Sequence, residues 1–543
     1  MNPPLEPGAP ALAAVLAYHE RTKHRFERYA AGPETLDWSA QPEPFRWYEG
    51  APQVRLPLAA AGPATPYAAL SRPGGVPPRP FSLENLALLL ELSLGLSAWK
   101  EYGPDRWALR CNPSSGNLHP TEGYVLCRGV ADLADGVYHY LSRDHVLEQR
   151  AACDPASVVE SRVFVALSSI HWREAWKYGE RAFRYCQLDT GHAIGALRYA
   201  AAALGWRVGI VAGLGSAGLA ALLGLDRRGD FLGVEEEEPE LLLELLADAA
   251  PSAAAPDFVL PPEAWRGQAN RLDPHPMYHW PVIDEVAEAS RTPEAVPETP
   301  GSTAVAYPSL PGLDPTPVAA LIRQRRSAQH FDRKQTMSAA AFYRLLDGLL
   351  PRADTAPFDT WNAAPRLHPV LFVHRVAGLE PGLYALPRRA GIETDLRAAC
   401  KPDFEWTRPA GCPGHLPLFR LVAGDCAKIG RAINCHQAIG ADSSFALGML
   451  AEFEASLAEA PWAYRRLYWE AGLLGQALYL EAEALGVRGT GIGCYFDDVF
   501  HQLLGLEGPA FQSLYHFTVG FPLVDTRILT LPPYAGRDPT PGG

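Results

Sequence analysis

The chain reads as an α+β protein built from two tandem copies of one unit. Three observations predict this. Gly191, Leu204, Gly205 and Leu222-Leu223-Gly224-Leu225 recur 281 residues later as Gly472, Leu485, Gly486 and Leu503-Leu504-Gly505-Leu506, and no gap interrupts the match. Short apolar runs with strand character share the first copy with one long helical stretch. A Pro-, Ala- and Ser-dense segment separates the copies. The expected boundaries are a first repeat with an N-terminal extension over 1–250, a linker over 251–315 and a second repeat over 316–543. Two similar units on one chain are expected to pack about an approximate two-fold axis, as the subunits of a homodimer do.

The elements follow in order. Residues 1–80 are rich in Pro and Ala, with a helical stretch near 11–30, and are expected to wrap the first core. Ser82 can cap a helix over 82–97, where leucines recur at helical spacing. A turn at 112–120 precedes a strand at 123–127; Gly136-Val137-Tyr138-His139-Tyr140 and Arg162 to Ser168 read as further strands. Asp189 to Leu204 is a long helix stopped by Gly205, and the strand Val208-Gly209-Ile210-Val211 follows. Glu235–Glu238 is expected to be a solvated edge, because neighbouring strand positions point to opposite faces and cannot share one metal. Upstream in the second copy the offset shrinks: Leu118-His119-Pro120 recurs as Leu367-His368-Pro369, and Gly136-x-Tyr138 as Gly382-x-Tyr384.

Composition narrows the function. At 48% apolar and 20% charged the 543 residues can bury large cores. A net charge of −13 argues against nucleic acid or an anionic membrane as partner. Nine cysteines, none in a C-x-x-C pair, favour free thiols and give zinc no support, so no metal is expected. The N-terminus lacks a basic region followed by an apolar core, and the longest apolar run, Leu86 to Trp99, is broken by Glu91. A cytoplasmic protein is expected.

The most informative stretch is Asn112-Pro113-Ser114-Ser115-Gly116-Asn117-Leu118-His119-Pro120. Its prolines and glycine exclude long helix or strand, and its hydroxyls and amide suit a rigid turn that grips a polar, planar ligand. By itself it also suits a surface turn capping the next element. Pro-Ser-Ser-x-Asn ahead of the apolar run Tyr124-Val125-Leu126 resembles the flavin-ring loop of the nitroreductase-like flavoenzymes. The Leu-His-Pro-x-Glu-x-Tyr form resembles one branch, the azoline dehydrogenases that oxidise thiazoline and oxazoline rings in modified peptides. Two further runs resemble that branch. One is Tyr18-His19-Glu20-Arg21-Thr22-Lys23-His24 with Leu36-Asp37-Trp38 and Gln41-Pro42; the other is Lys177 to Tyr185, ending in Asp189-Thr190-Gly191-His192. The resemblance implies two tandem nitroreductase-like domains, each a mostly antiparallel central sheet flanked by helices, forming an intramolecular pseudo-dimer that binds FMN.

The two copies are unequally equipped. Arg325-Arg326-Ser327-Ala328-Gln329-His330-Phe331 resembles the nitroreductase Arg-x-Ser-x-Lys/Arg-x-Phe run, in which Arg325 and Ser327 would hold the flavin phosphate and Gln329 would face the ring with less positive field than the usual basic residue. The first repeat has Ala69-Leu70-Ser71-Arg72-Pro73 there, with no arginine pair. Conversely, Ala363-Ala364-Pro365-Arg366 replaces Ser114-Ser115-Gly116-Asn117 in the second repeat. Gly489-Thr490-Gly491-Ile492-Gly493 resembles the segment that lays backbone N–H groups beside the ring, with Gly491 and Gly493 allowing close approach. Arg527 resembles a C-terminal phosphate ligand. In the family each site is shared across the dimer, so these complementary losses imply one composite FMN site made from Pro113, Ser114, Ser115 and Asn117 of one repeat and Arg325, Ser327, Gln329, Gly491, Gly493 and Arg527 of the other. The mirror site should be dead.

Lys177-Tyr178 resembles the acid–base pair of the azoline dehydrogenases; Ala458 and Glu459 stand at the matching second-repeat positions. His119, His192 and His330 are alternative proton carriers. Three activities remain open: FMN-dependent dehydrogenation of an azoline-like ring in a modified peptide or small molecule, NAD(P)H-driven reduction of a small electrophile at the same flavin, and a non-catalytic peptide-binding scaffold. A nicotinamide could stack on the flavin without a Rossmann fingerprint. The expected assembly is a monomeric pseudo-dimer or a higher homo-oligomer.

Overall fold

The computed structural model describes residues 9–58, 62–153, 161–247, 256, 258, 260–294, 307–310, 315–353, 355–361, 363–535 and 537. The first repeat holds a seven-stranded sheet: β1 (Gln53–Arg55), β2 (Thr121–Arg128), β3 (Gly136–Leu141), β4 (Val146–Ala152), β5 (Arg162–Ser169), β6 (Arg207–Ile210) and β7 (Glu238–Leu246). Their spatial order is β1-β4-β3-β2-β5-β7-β6, every pairing antiparallel. Its main helices are α1 (Ala182–Ala203) and α2 (Ser216–Leu223).

The second repeat rebuilds this sheet without β1. Strands β8 (Leu367–Val373), β9 (Gly382–Ala385), β10 (Phe419–Ala423), β11 (Phe445–Glu452), β12 (Arg488–Ile492) and β13 (Phe511–Gly520) run in the order β10-β9-β8-β11-β13-β12, again antiparallel throughout. Helices α3 (Ala463–Ala484) and α4 (Asp497–Leu504) begin and end 281 residues after α1 and α2. The duplication is therefore kept element by element. The Leu-His-Pro match is looser: His368 lies inside β8, whereas His119 precedes its strand with φ +55°.

α1 and α3 cross backbone to backbone at the point where the repeats meet. A Cβ on Gly191 would stand 2.3 Å from the Trp469 carbonyl oxygen, and one on Gly472 would stand 2.1 Å from the Leu188 oxygen. Trp469 is the 281-residue equivalent of Leu188, so the pseudo-two-fold axis passes through this crossing. One apolar cluster extends from Val15 to Val519 through both repeats. Buried charge adds to it: Asp497, at the start of α4, takes Arg181 at 3.0 Å and Arg184 at 2.9 Å from the first repeat, and its carboxyl is held low; burial alone would push it the other way.

Several local expectations change. The helix capped by Ser82 stops at Ser93, and a strand starts at Leu96. That strand, Leu96–Tyr102, turns at Gly103 (φ +58°) into Asp105–Arg110 and receives Leu529–Leu531 from the far end of the chain. Leucine spacing carried the expected helix into residues that the hairpin needs. Only half of the Glu235–Glu238 run is solvated: Glu236 is exposed and Glu235 partly so, while Glu237 and Glu238 are buried. Glu237 is buried on Tyr48, Tyr124 and Ser168, and Glu238 pairs with Arg465 at 2.7 Å. Within 251–315 the described residues include the helix Pro281–Ala289, which packs on the N-terminal helix Ala9–Arg21 and on α1.

Candidate functional site

A cavity of about 450 Å³ opens between the repeats, within the size range of small-molecule sites. The first repeat contributes Lys100, Trp107, the loop 112–117, Tyr178, Tyr185, Asp189 and His192. The second contributes 325–329, Gln437, Tyr479, Arg488, 490–494 and the lip 522–525. Pro113, Ser114, Ser115, Asn117, Tyr178, Arg325, Ser327, Gln329, Gly491 and Gly493 thus line one cavity. Two expected residues do not line it. Arg527 is exposed, with Asp525 at 2.7 Å and the Tyr102 ring beneath it. Lys177 sits behind the loop, half-buried above the Trp38 and Tyr178 rings.

The loop is rigid because its own polar groups tie it down. Ser115 donates to Asp189 from its backbone N at 3.1 Å and from its hydroxyl at 3.0 Å. Ser114 Oγ accepts the His119 N–H at 2.8 Å, and the Asn117 amide nitrogen donates to the Ala108 carbonyl at 2.8 Å. Gly116 and Asn117 both adopt left-handed backbone, at φ +58° and +61°. A Cβ on Gly116 would lie 2.5 Å from the Tyr178 hydroxyl and 3.1 Å from Lys177 Nζ, so only glycine lets the loop close over that pair. The hydroxyls expected to grip a ligand therefore also brace the turn that presents them.

The opposite wall is the edge strand β12. Gly491 and Gly493 are glycines because tyrosines lie beneath them: a Cβ would stand 1.7 Å from the Tyr515 hydroxyl and 2.2 Å from the Tyr185 ring, respectively. Tyr479 organises this side. Its hydroxyl meets Ser327 Oγ at 2.8 Å and accepts the Gly491 N–H at 3.1 Å, and the Arg325 guanidinium lies over its ring at 4.9 Å.

Cations converge at one end. Lys100, Arg110, Arg325, Arg326 and Arg488 all line the cavity. Burial and then Arg325 pull Arg326 down to about 10; burial, Arg326 and Arg488 lower Lys100. Arg325 is almost fully buried, and its Nε has no hydrogen-bond partner among the described residues. Like charges held this close fit a multivalent anion, and the combination of hydroxyl, guanidinium and amine is a phosphate-binding donor set.

Protons are held beside the loop. Burial raises Tyr178 well above the ordinary tyrosine range, with Glu174 adding to it, so its hydroxyl stays a donor. Burial lowers Lys177, and Glu174 offsets this only in part. Burial lifts Asp189 to about 7 against the hydrogen bonds of Ser114 and Ser115. Of the alternative carriers, His119 and His192 are pushed down by burial, the latter to about 3, and stay neutral; His330 is exposed and outside the lining.

Sequence reasoning missed Lys100, Asp189, Tyr479 and Arg488 as site residues. Asp189 lay within a family-like run, and Arg488 directly precedes the glycine segment; no local signal marked Lys100 or Tyr479.

At the mirror-related positions the equivalent side chains are paired with other protein groups. Arg198, the equivalent of Tyr479, pairs with Asp359 at 2.8 and 2.7 Å and donates to the Trp206 carbonyl at 2.9 Å. Glu470, the equivalent of Asp189, accepts the Arg366 N–H at 2.9 Å and the Arg388 guanidinium at 2.5 Å.

Comparison with known proteins places this geometry. The model of the Nitroreductase family matches residues 78–234. A Methanocaldococcus jannaschii protein named as a nitroreductase is 27% identical over 124 residues, which span 21% of this chain and 59% of that protein. A crystal structure from Anabaena variabilis ATCC 29413, described as a nitroreductase, aligns with 94% of this chain and 99% of its own at 21% identity and a TM-score of 0.68. The E. coli microcin synthetase McbBCD complex with truncated pro-MccB17 bound aligns with 45% of this chain and 94% of that chain, at 18% identity and a TM-score of 0.26. The family match falls in the first repeat, and the chain has the nitroreductase fold.

Proposed function

We propose that the protein is an FMN-dependent oxidoreductase with one flavin site, which dehydrogenates an azoline-like ring in a modified peptide or a related small molecule. The observation that carries the flavin is the cluster of Lys100, Arg325, Arg326 and Arg488 at one end of a cavity whose other walls are a hydroxyl-rich loop and a glycine strand edge. Arg325, Arg326, Arg488, Lys100 and Ser327 would hold the phosphate. The 113–117 loop and Gly491–Gly493 would flank the ring. When bound there, FMN supplies two-electron redox chemistry.

The chain handles the proton. A ring losing two electrons and a C–H also loses a proton, and Lys177 is the base best prepared to take it, because burial already disfavours its charged form. Tyr178, kept protonated by burial, can pass a proton between the cavity and Lys177 or donate a hydrogen bond that orients the substrate. Exposed Leu523 and Val524 at the lip give a substrate an apolar surface to rest on. The losses that leave the two repeats complementary speak against a decayed scaffold.

The test is flavin content of purified protein, read by absorbance after denaturation, followed by anaerobic mixing with NADH, NADPH and azoline-containing peptides. Bound FMN with oxidation of the peptide ring is expected. Fast reduction by a nicotinamide with no peptide oxidation favours the reductase reading, and protein that never binds FMN defeats both.

A further inference from the structure

We propose that Cys435 and Cys494 form a redox-active dithiol in the wall of the composite cavity, which exchanges with small disulfides and closes into an internal disulfide. The two sulfurs lie 2.7 Å apart. Cys494 lines the cavity just beyond β12, and Cys435 occupies the turn after the helix Ala427–Ile433. The turn is strained and held: Cys435 and His436 are consecutive non-glycine residues at φ +50° and +60°. Gln437 Nε2 donates to the Cys494 carbonyl at 3.1 Å, the Phe496 N–H donates to the Ile433 carbonyl at 2.8 Å, and the His436 ring packs edge-on against Phe496. The sulfurs are therefore kept together by backbone on both sides.

The two sulfurs have unequal surroundings, as attack and resolution require. Arg181 donates to the Gly493 carbonyl at 3.2 Å, beside Cys494. The sulfur–sulfur contact lowers the Cys494 thiol against burial, with His24 and Arg181 contributing, and the same contact together with burial raises Cys435. An acidified thiol beside a resolving thiol is the arrangement that thiol–disulfide exchange uses. Of the remaining seven cysteines, six are buried and Cys412 is half-buried.

The chemistry balances. The Cys494 thiolate attacks one sulfur of a disulfide R–S–S–R, forming a Cys494–S–S–R bond and expelling RS⁻, which takes a proton from solvent. Cys435 gives up its proton and attacks Cys494 Sγ; the Cys435–Cys494 bond forms, the second RS⁻ leaves, and it takes that proton. The protein thiols lose two electrons, and the small disulfide gains them as two thiols. This inference does not depend on the flavin reading, because its test counts thiols.

The full-length protein is equilibrated in glutathione buffers of rising oxidised fraction, quenched with an alkylating agent, digested and analysed by mass spectrometry. Cys435 and Cys494 should lose alkylation together, a peptide linking them should accumulate, and Cys412 should form no internal link. In Cys435→Ser, a stable glutathione adduct should form on Cys494 at least about tenfold faster than on Cys412. Cys435 and Cys494 remaining free thiols across the whole series would overturn the proposal, as would Cys494 reacting no faster than Cys412. If Cys435→Ser does not fold, the linked peptide of the wild-type protein still decides.

Discussion

Tyr178 lines the cavity and Lys177 lies behind the loop, which only glycine at position 116 lets close over both. Lys177→Ala and Tyr178→Phe should leave FMN bound and slow turnover about a hundred- to ten-thousandfold, measured as kcat on a confirmed substrate. Arg325→Ala and Arg488→Ala should each weaken FMN retention about ten- to a hundredfold, the worth of a charge-assisted phosphate contact; equilibrium dialysis reads this directly. Arg72→Ala, in the first repeat, should do much less. A stability prediction belongs at this scale too. His139 is buried between Glu122 and Glu148, each at 3.0 Å; burial lowers it, but the two carboxylates raise it to about 9. Its folded value lies above its unfolded one, so the stabilisation is full below about pH 6.5 and fades as pH rises through about 9. Urea midpoints should fall over that window in the wild type and stay flatter in His139→Gln. The sequence made legible those site residues whose local setting is odd, such as 113–117 and the Arg325-Arg326-Ser327 run. Tyr479 and Arg488 look like ordinary helix and strand residues until the fold brings them to the wall.

The helices α1 and α3 were visible as a repeat before they were visible as an interface. Gly191 and Gly472 marked the match, and the structure gives the reason for both: each faces a carbonyl oxygen of the other helix across the axis. Gly191→Leu and Gly472→Leu should each destabilise the chain by at least about 1–3 kcal/mol in urea unfolding, since the backbones must part to admit a side chain. Gly486, at φ +72° with open space around it, should accept Asn far more easily. Strand and helix positions in the first repeat were largely readable from apolar spacing and the Ser82 cap. The hairpin over 96–110 was not, because its pairing partner, Leu529–Leu531, lies at the other end of the chain. Glu237 and Glu238 misled for a similar reason: their partners Tyr48, Tyr124 and Arg465 are remote in sequence and invisible to any local pattern.

At the scale of the molecule, tandem duplication has placed both partners of a dimer on one chain and let each repeat specialise. The first carries the loop, Tyr178, Lys100 and Arg110; the second carries Arg325, Arg326, Arg488 and the glycine edge; at the mirror-related positions Arg198 pairs with Asp359 and Glu470 with Arg388. With its pseudo-two-fold interface satisfied internally, the protein should run as a 59.0 kDa monomer in light scattering. The flavin-to-protein ratio of the full chain, saturated with FMN and freed of excess, tests the central claim most directly. The shared composite site predicts a ratio near one, whereas a ratio near two would show that the mirror region also binds and would contradict it.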